Sequence, residues 1–164
     1  MYSLGAKSRA ALKGVHPDLV VLARGAIAVS KQDFSVHDGV RTREQQQQLV
    51  KRGASKTMNS KHLPQRDGYG HAVDLVPYVN GQLRWEWGPI YEIASAMYKT
   101  AKANCVKLVW GGVWDRNFPE DFGNGSPATM KRMVDEYAVR ERARQIAAGR
   151  KPSVLLDGPH FQLR

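Results

Sequence analysis

The chain has 164 residues, 42% of them apolar and 24% charged, which is typical of one soluble globular domain and excludes a disordered chain. No apolar stretch approaches the roughly 20 residues needed to cross a bilayer, and the charged, proline-containing N-terminus is unlike a secretory signal. The formal charge of +10 predicts a polyanionic partner, and nucleic acid, bacterial surface polymers and anionic lipids all fit that description.

Two helices are predicted in the first third of the chain. Residues 17–29 carry apolar side chains at helical spacing, and Pro17 suits the first turn of such a helix. Thr42 and Gln45 have the spacing of a capping box, which predicts a second helix that ends near Gly53.

A strand, a loop and a hairpin are predicted around these helices. Residues 34–36 favour a short strand, and residues 54–70 are polar, contain glycine and proline, and favour a loop. Residues 71–78 and 82–85 flank Asn80-Gly81, a pair that is typical of a tight turn between antiparallel strands.

The second half of the chain adds two helices and three short strands. Residues 89–104 place apolar side chains on one helical face, and Ser126-Pro127 has the form of an N-cap and first turn for a helix reaching about Ala148. The strands are predicted at 106–110, 154–156 and 161–163. Because helices and strands do not alternate regularly, we expect an α+β fold with a small antiparallel sheet and packed helices, in a single domain spanning 1–164.

Cys105 is the only cysteine, so the chain forms no intramolecular disulfide and a metal site has to use nitrogen and oxygen ligands. Because Cys105 ends an apolar-periodic segment, we expect its thiol to be buried.

Three short polar segments stand out as carriers of chemistry, namely residues 60–62, 70–74 and 157–160. Side chains alternate between the two faces of a strand, so Asp74 shares a face with Ala72 and Gly70, while Val73 points to the core. A carboxylate is therefore displayed beside two minimal side chains, which leaves room for a ligand.

The segment that begins at residue 157 shows the same separation of polar and apolar side chains. His160 and Gln162 share one face of the predicted strand, and Phe161 and Leu163 share the other. Two imidazoles and one carboxylate form a zinc site that leaves a position open for water, and Asp157 precedes His160 by three residues across a Gly-Pro turn, where it is placed to act as a base. Each residue also has a plainer interpretation: His62 as a solvated loop histidine, Asp74 as a solvated strand-end carboxylate, and Asp157 as a turn former.

Taken together, Ser60-x-His62, Gly70-x-Ala72-x-Asp74 and Asp157-x-x-His160 resemble the signature of the M15 family of zinc peptidases. That family includes D-Ala-D-Ala carboxypeptidases, vancomycin-resistance dipeptidases and phage L-alanyl-D-glutamate endopeptidases. The resemblance runs in order from about residue 17 to residue 163. It implies the fold shared by D-Ala-D-Ala peptidases and Hedgehog signalling domains.

The resemblance also implies roles for individual residues. His62, Asp74 and His160 match the family's zinc ligands, and Asp157 matches its general base. Arg41, in the segment Gly-Val-Arg-Thr, matches an arginine that assists the scissile carbonyl.

The spacing between the first two ligands departs from the family pattern. In the family pattern the aspartate follows the first histidine by seven positions, whereas Asp74 follows His62 by twelve. A loop insertion of this size costs little closure entropy, so the site can survive it. The insertion nevertheless leaves His71 as an alternative ligand, although alternation places His71 on the opposite strand face from Asp74.

The resemblance implies a phage endolysin that uses Zn²⁺ to hydrolyse stem peptides of peptidoglycan, most simply at the L-alanyl–D-glutamate bond, and so lyses the host. We expect it to be a monomer made in the host cytoplasm without a signal peptide and to act in the periplasm on the cell wall. Its basic helix at 127–148 would contact an anionic outer-membrane or lipid surface.

Three alternatives stay open. The first is a D-Ala-D-Ala carboxypeptidase or dipeptidase that uses the same site, and the second is a metal-binding fold without catalysis. The third is a basic nucleic-acid-binding module. We do not expect nucleic acid as a partner, because the aromatic residues are not interleaved with the basic ones and no DNA-binding motif is present.

Overall fold

The fold is built on one antiparallel sheet with helices packed against it, in a computed structural model that describes residues 1–164. The helices are α1 (Ala6–Ala11), α2 (Pro17–Val29), α3 (Arg43–Lys51), α4 (Trp87–Ala103) and α5 (Pro127–Ala147). The strands are β1 (Phe34–Asp38), β2 (Ala72–Val79), β3 (Gln82–Leu83), β4 (Leu108–Trp110), β5 (Val113–Phe118) and β6 (His160–Leu163). The predicted fold class, α+β with a small antiparallel sheet, is confirmed.

The last strand of the chain lies at the centre of the sheet. The strand order is β1-β2-β6-β4-β5, with β3 paired to β2, and every pairing is antiparallel. In this register Asp74 on β2 stands directly opposite His160 on β6 and also opposite Asp38 on β1. The topology therefore brings polar residues from three strands to one end of the sheet.

The helix starts follow their sequence signals. Thr42 accepts a hydrogen bond from the backbone of Gln45, whose side chain in turn accepts one from the backbone of Thr42, so the predicted capping box is confirmed. Pro17 and Pro127 occupy the first turns of α2 and α5, as predicted. The hairpin is confirmed as well, with Asn80 at φ 50° and Gly81 at φ 81° in the turn between β2 and β3.

A core of 29 buried residues fills the space between sheet and helices. Its largest fully buried side chains in the sheet region are aromatic, namely Trp110, Phe118, Phe122 and Phe161. The Trp110 and Phe161 rings are stacked, with centroids 6.2 Å apart and an interplanar angle of 14°. No helix is both long enough and apolar enough to cross a membrane.

Two expectations about local structure are wrong. Residues 154–156 form no strand, because no other segment pairs with them, and Leu155 is 49% exposed. Cys105 is exposed rather than buried. It follows the C-cap of α4 at φ 55°, so it does not continue the apolar face of that helix.

The position of β6 depends on Phe161, so Phe161→Ala tests the packing of the central strand. We expect a loss of about 3 to 5 kcal/mol in the free energy of unfolding, because the substitution leaves a cavity under a fully buried ring. Urea denaturation measures this loss. Val139→Ala is the matched control, since Val139 is 70% exposed and should change stability by less than about 0.5 kcal/mol. Equal effects of the two substitutions would contradict the packing described here.

Candidate metal centre

Three distant side chains converge at one end of the sheet. His62 Nε2 lies 3.3 Å from His160 Nδ1 and 3.2 Å from Asp74 Oδ1, and His160 Nδ1 lies 2.9 Å from the same Asp74 oxygen. Only 2%, 14% and 9% of the His62, Asp74 and His160 side chains are exposed. Two histidines and one aspartate whose ligand atoms lie this close together can hold a metal ion.

Backbone pairing fixes each of the three residues. Asp74 and His160 are cross-strand neighbours in the β2–β6 ladder. His62 comes from the loop between α3 and β2, where its carbonyl oxygen accepts a 2.9 Å hydrogen bond from the Arg41 backbone. The hydroxyl of Ser60 accepts a hydrogen bond of 3.2 Å from the His62 backbone nitrogen.

Hydrogen bonds on the far sides of both rings orient the imidazoles. His62 Nδ1 donates to the carbonyl oxygen of Gly39 at 2.6 Å, and because a carbonyl only accepts, the neutral ring has its lone pair on Nε2, facing the cluster. His160 Nε2 donates to the side-chain oxygen of Gln162 at 3.0 Å, which leaves the lone pair of Nδ1 facing Asp74.

This arrangement fits a divalent cation. Two imidazole lone pairs and a carboxylate oxygen point at one another and repel unless a positive charge lies among them. Tetrahedral zinc with ligand bonds of about 2.0 to 2.1 Å separates neighbouring ligand atoms by about 3.3 Å. The observed separations of 2.9, 3.2 and 3.3 Å match that spacing closely.

The pKa shifts of Asp74 and His160 also show that the cluster favours a positive charge beside the Asp74 carboxylate. Burial acts to raise the pKa of Asp74, but hydrogen bonds from His160 and His62 outweigh it and hold that pKa well below its usual range. Burial acts to lower the pKa of His160, but the hydrogen bond and negative charge of Asp74 outweigh it and raise that pKa. A proton therefore occupies the site readily when no metal does.

Asp157 lies in the turn that leads into β6. Its backbone nitrogen donates to Gly111 at 2.9 Å, and its carbonyl accepts from the His160 backbone at 3.1 Å. A Cβ at Gly111 would lie 2.3 Å from the Asp157 carbonyl oxygen, so this close approach requires glycine. Burial, and then the neighbouring negative charge of Asp74, raise the pKa of the Asp157 carboxyl.

Arg41 lies at the site, where its guanidinium group contacts Asp74, one of the three candidate metal ligands. Its Nη2 donates to Asp74 Oδ2 at 3.0 Å and to Asp38 Oδ2 at 2.6 Å. Arg41 thus fixes the second oxygen of Asp74 while the first faces the two imidazoles. Its Nε is buried and has no hydrogen-bond partner within the protein. Its expected role at a scissile carbonyl stays a prediction.

Several residues of the site were not singled out from the sequence. Trp114 lies against the ring of His160, with centroids 5.3 Å apart, and Asp38 shares Arg41 with Asp74. Gln162, by contrast, was expected on the same strand face as His160, and its side-chain oxygen lies 3.0 Å from His160 Nε2. Gly39 acts through its backbone carbonyl, which leaves no signal in a side-chain pattern.

His71 lies outside this centre. Its Nε2 is 2.7 Å from Asp67 Oδ2, in a separate group of residues. The structure therefore brings together His62, Asp74 and His160, with Asp157 and Arg41 beside them, and directs His71 elsewhere.

Comparisons with known proteins point to one family. Residues 1–124 match the model of the phage L-alanyl-D-glutamate peptidase family, a segment that includes Arg41, His62 and Asp74 and ends before Asp157. The L-alanyl-D-glutamate peptidase of Escherichia phage T5 is 30% identical over 118 residues, which cover 70% of this chain and 82% of that protein.

Two further relatives carry related names. An L-alanyl-D-glutamate peptidase of a Listeria phage is 35% identical over 79 residues, covering 48% of this chain and 25% of that protein. The crystal structure of the L-Ala D-Glu endopeptidase ChiX of Serratia marcescens superposes with a TM-score of 0.66 at 32% identity. That match covers 97% of this chain and 87% of the other.

The raised pKa of His160 predicts a pH-dependent stability in the metal-free chain. A histidine whose pKa rises on folding stabilises the folded state while it is protonated. For His160 this contribution to the free energy of unfolding is complete below the ordinary pKa of 6.5, and it is lost as the pH rises through the raised pKa of the folded state. In EDTA, the free energy of unfolding of the wild type should exceed that of His160→Gln at pH 5.5, and the difference should shrink by pH 9. Urea denaturation at both pH values measures it. The exposed His37→Gln serves as control, and a difference that does not change with pH would refute the charge assignment.

Proposed function

This chain belongs to the phage L-alanyl-D-glutamate peptidase family, and from that premise we propose that it is a zinc-dependent endopeptidase that hydrolyses the L-alanyl–D-glutamate bond of peptidoglycan stem peptides. The observation that carries the proposal is the convergence of His62, Asp74 and His160 with both imidazole lone pairs aimed inward. A half-buried carboxyl group, that of Asp157, lies beside them.

The residues that would hold the metal are those three, and zinc bound there would supply Lewis acidity toward a peptide carbonyl. Two imidazoles and one carboxylate form a donor set characteristic of catalytic zinc sites. The carbonyl of Gly39 and the side chain of Gln162 would keep the two rings in their ligating tautomers.

Asp157 is proposed as the general base. Its carboxyl would take a proton from the attacking water and pass that proton to the leaving amine. A raised pKa suits both steps, because the group must give the proton up as well as receive it. Arg41 orients Asp74 through Nη2, and we propose that it also assists the scissile carbonyl, as the family resemblance implies.

The alternative reactions predict different products. A D-Ala-D-Ala carboxypeptidase would release D-alanine, whereas the proposed endopeptidase exposes a new amino terminus on D-glutamate. Mass analysis of purified stem peptides after digestion separates the two, and release of D-alanine alone would refute the proposed bond. DNA binding without any peptide cleavage would instead favour the nucleic-acid-binding alternative, for which the comparisons give no support.

Asp157→Asn should greatly slow hydrolysis while leaving metal binding intact. We expect a fall in kcat of about 10²- to 10⁴-fold, the usual contribution of a general base, with one zinc retained per chain. Fragment mass analysis and elemental analysis of zinc are the measurements.

The matched control is Asp135→Asn, an exposed carboxylate on α5 that pairs with Lys131 at 2.6 Å. It should keep full activity. Full activity of Asp157→Asn would remove Asp157 as the base.

The enzyme is also proposed to be made in the host cytoplasm, to act as a monomer on the wall and to contact anionic lipid through α5. Two exposed apolar side chains on that helix, Val139 and Ile146, are 70% and 58% exposed. Arg142, Arg150 and Lys151 lie close to them in the sequence and are exposed as well. Apolar side chains rimmed by cations suit the boundary between lipid headgroups and acyl chains.

Introducing charge into this apolar patch should weaken lipid binding without affecting catalysis. Val139→Glu/Ile146→Glu should lower affinity for vesicles containing phosphatidylglycerol by about tenfold or more, because burial of one such side chain contributes roughly 1.5 to 3 kcal/mol. Vesicle sedimentation measures binding, and soluble stem peptides measure activity. Val21→Glu, at a 51% exposed apolar position on α2, is the control. Unchanged sedimentation of the double variant would count against a membrane role for α5.

A further inference from the structure

A second group of metal-ligating side chains lies on the surface, formed by His16, Asp67 and His71. We propose that these three residues bind a transition-metal dication such as zinc, at a site separate from the catalytic centre. Two imidazoles and a carboxylate are ligands that zinc, nickel and copper accept. The three side chains are 25%, 42% and 21% exposed, so an ion can reach them directly from solution.

The ligand atoms already face a common point. Asp67 Oδ2 lies 2.7 Å from His71 Nε2 and 4.0 Å from His16 Nε2, and the three ligand atoms all lie within 4.8 Å of one another. Neighbouring ligands of tetrahedral zinc are separated by about 3.3 Å. Shifts of about 1 Å in exposed side chains would therefore close the site around an ion.

The backbone beneath these side chains is tied together. The His16 nitrogen donates to the Gly70 carbonyl at 2.9 Å, and the Gly70 nitrogen donates to the Gly14 carbonyl at 2.9 Å. Asp67 Oδ1 accepts from the Tyr69 backbone at 3.1 Å, which leaves Oδ2 for the imidazoles. Little conformational entropy remains to be lost when an ion binds, because the three Cα atoms are already held in place.

Metal binding would exchange two of the hydrogen bonds around the group. The proton that His71 Nε2 shares with Asp67 would be displaced by the ion. His16 Nδ1 now accepts from the Asp18 backbone at 3.2 Å. When Nε2 becomes a ligand the proton moves to Nδ1, and this backbone hydrogen bond is lost. The carboxylate of Asp18, 3.7 Å from that nitrogen, then becomes its acceptor, which is the common outer-shell partner of a ligating histidine.

A metal ion at this site would link the loop between α3 and β2, which carries His62, to two other parts of the chain. Asp67 lies within the extra residues between His62 and Asp74, His16 caps α2, and His71 lies immediately before β2. An ion at this point joins three separate parts of the chain, so we infer that it raises thermal stability.

The test counts zinc ions per chain. After equilibration with excess zinc and removal of free metal, the wild type should hold two zinc ions and His16→Gln/His71→Gln should hold one. His160→Gln should also retain one, at the surface group, which separates this proposal from the catalytic one. His37→Gln, which removes an exposed histidine that belongs to neither group, should hold two.

Thermal unfolding gives a second readout. Free zinc at about 100-fold above its dissociation constant should raise Tm by roughly 5 to 10 °C in the His160→Gln chain, where only the surface group can respond. Asp67→Asn, an exposed substitution that preserves shape, added to His160→Gln should remove most of that rise. The proposal is overturned if the His160→Gln chain holds no zinc, or if the His16→Gln/His71→Gln chain holds as many zinc ions as the wild type.

Discussion

The pairing of β2 with β6 is the constraint on which the site depends. It sets Asp74 opposite His160, two residues separated by 86 positions in the chain, and no local structure could bring them together. The final strand is inserted between β2 and β4, so the sheet is complete only when the C-terminal segment has docked. The same strand therefore serves both the core, through Phe161, and the candidate metal centre, through His160.

Each member of the buried polar cluster has one polar atom that contacts residues outside the cluster and one that faces the other two members. Each ring has one nitrogen engaged on the outside, by Gly39 or by Gln162, and Arg41 engages the outer oxygen of Asp74. The inner atoms are left facing one another, an arrangement that requires a cation and is costly without one. This grouping of lone pairs suits a metal ion, which would displace the proton that otherwise neutralises the cluster.

The sequence predicted the elements whose signals are local. The Thr42–Gln45 box, the Asn80-Gly81 turn and the proline after Ser126 each act within a few residues, and each forms as predicted. The strand expected at 154–156 fails because pairing depends on a partner that sequence alone does not identify. The contact of Arg41 with Asp74 was not predictable for a similar reason, since it depends on the irregular register between Val36 and Asp38 that brings β1 against β2.

The unusual spacing between His62 and Asp74 has a physical explanation in the way the extra residues fold. Pro64 and Gly70 pair across the base of the insertion, and the Gln65 nitrogen donates to the Tyr69 carbonyl inside it at 2.8 Å. The chain therefore leaves and returns at nearly the same point, where the His71 nitrogen donates to the Lys61 carbonyl at 2.7 Å. A closed loop of this kind adds length without moving its ends, so His62 keeps its place in the centre. His71 is turned outward toward Asp67, because the strand that begins after it directs Asp74 to the opposite side.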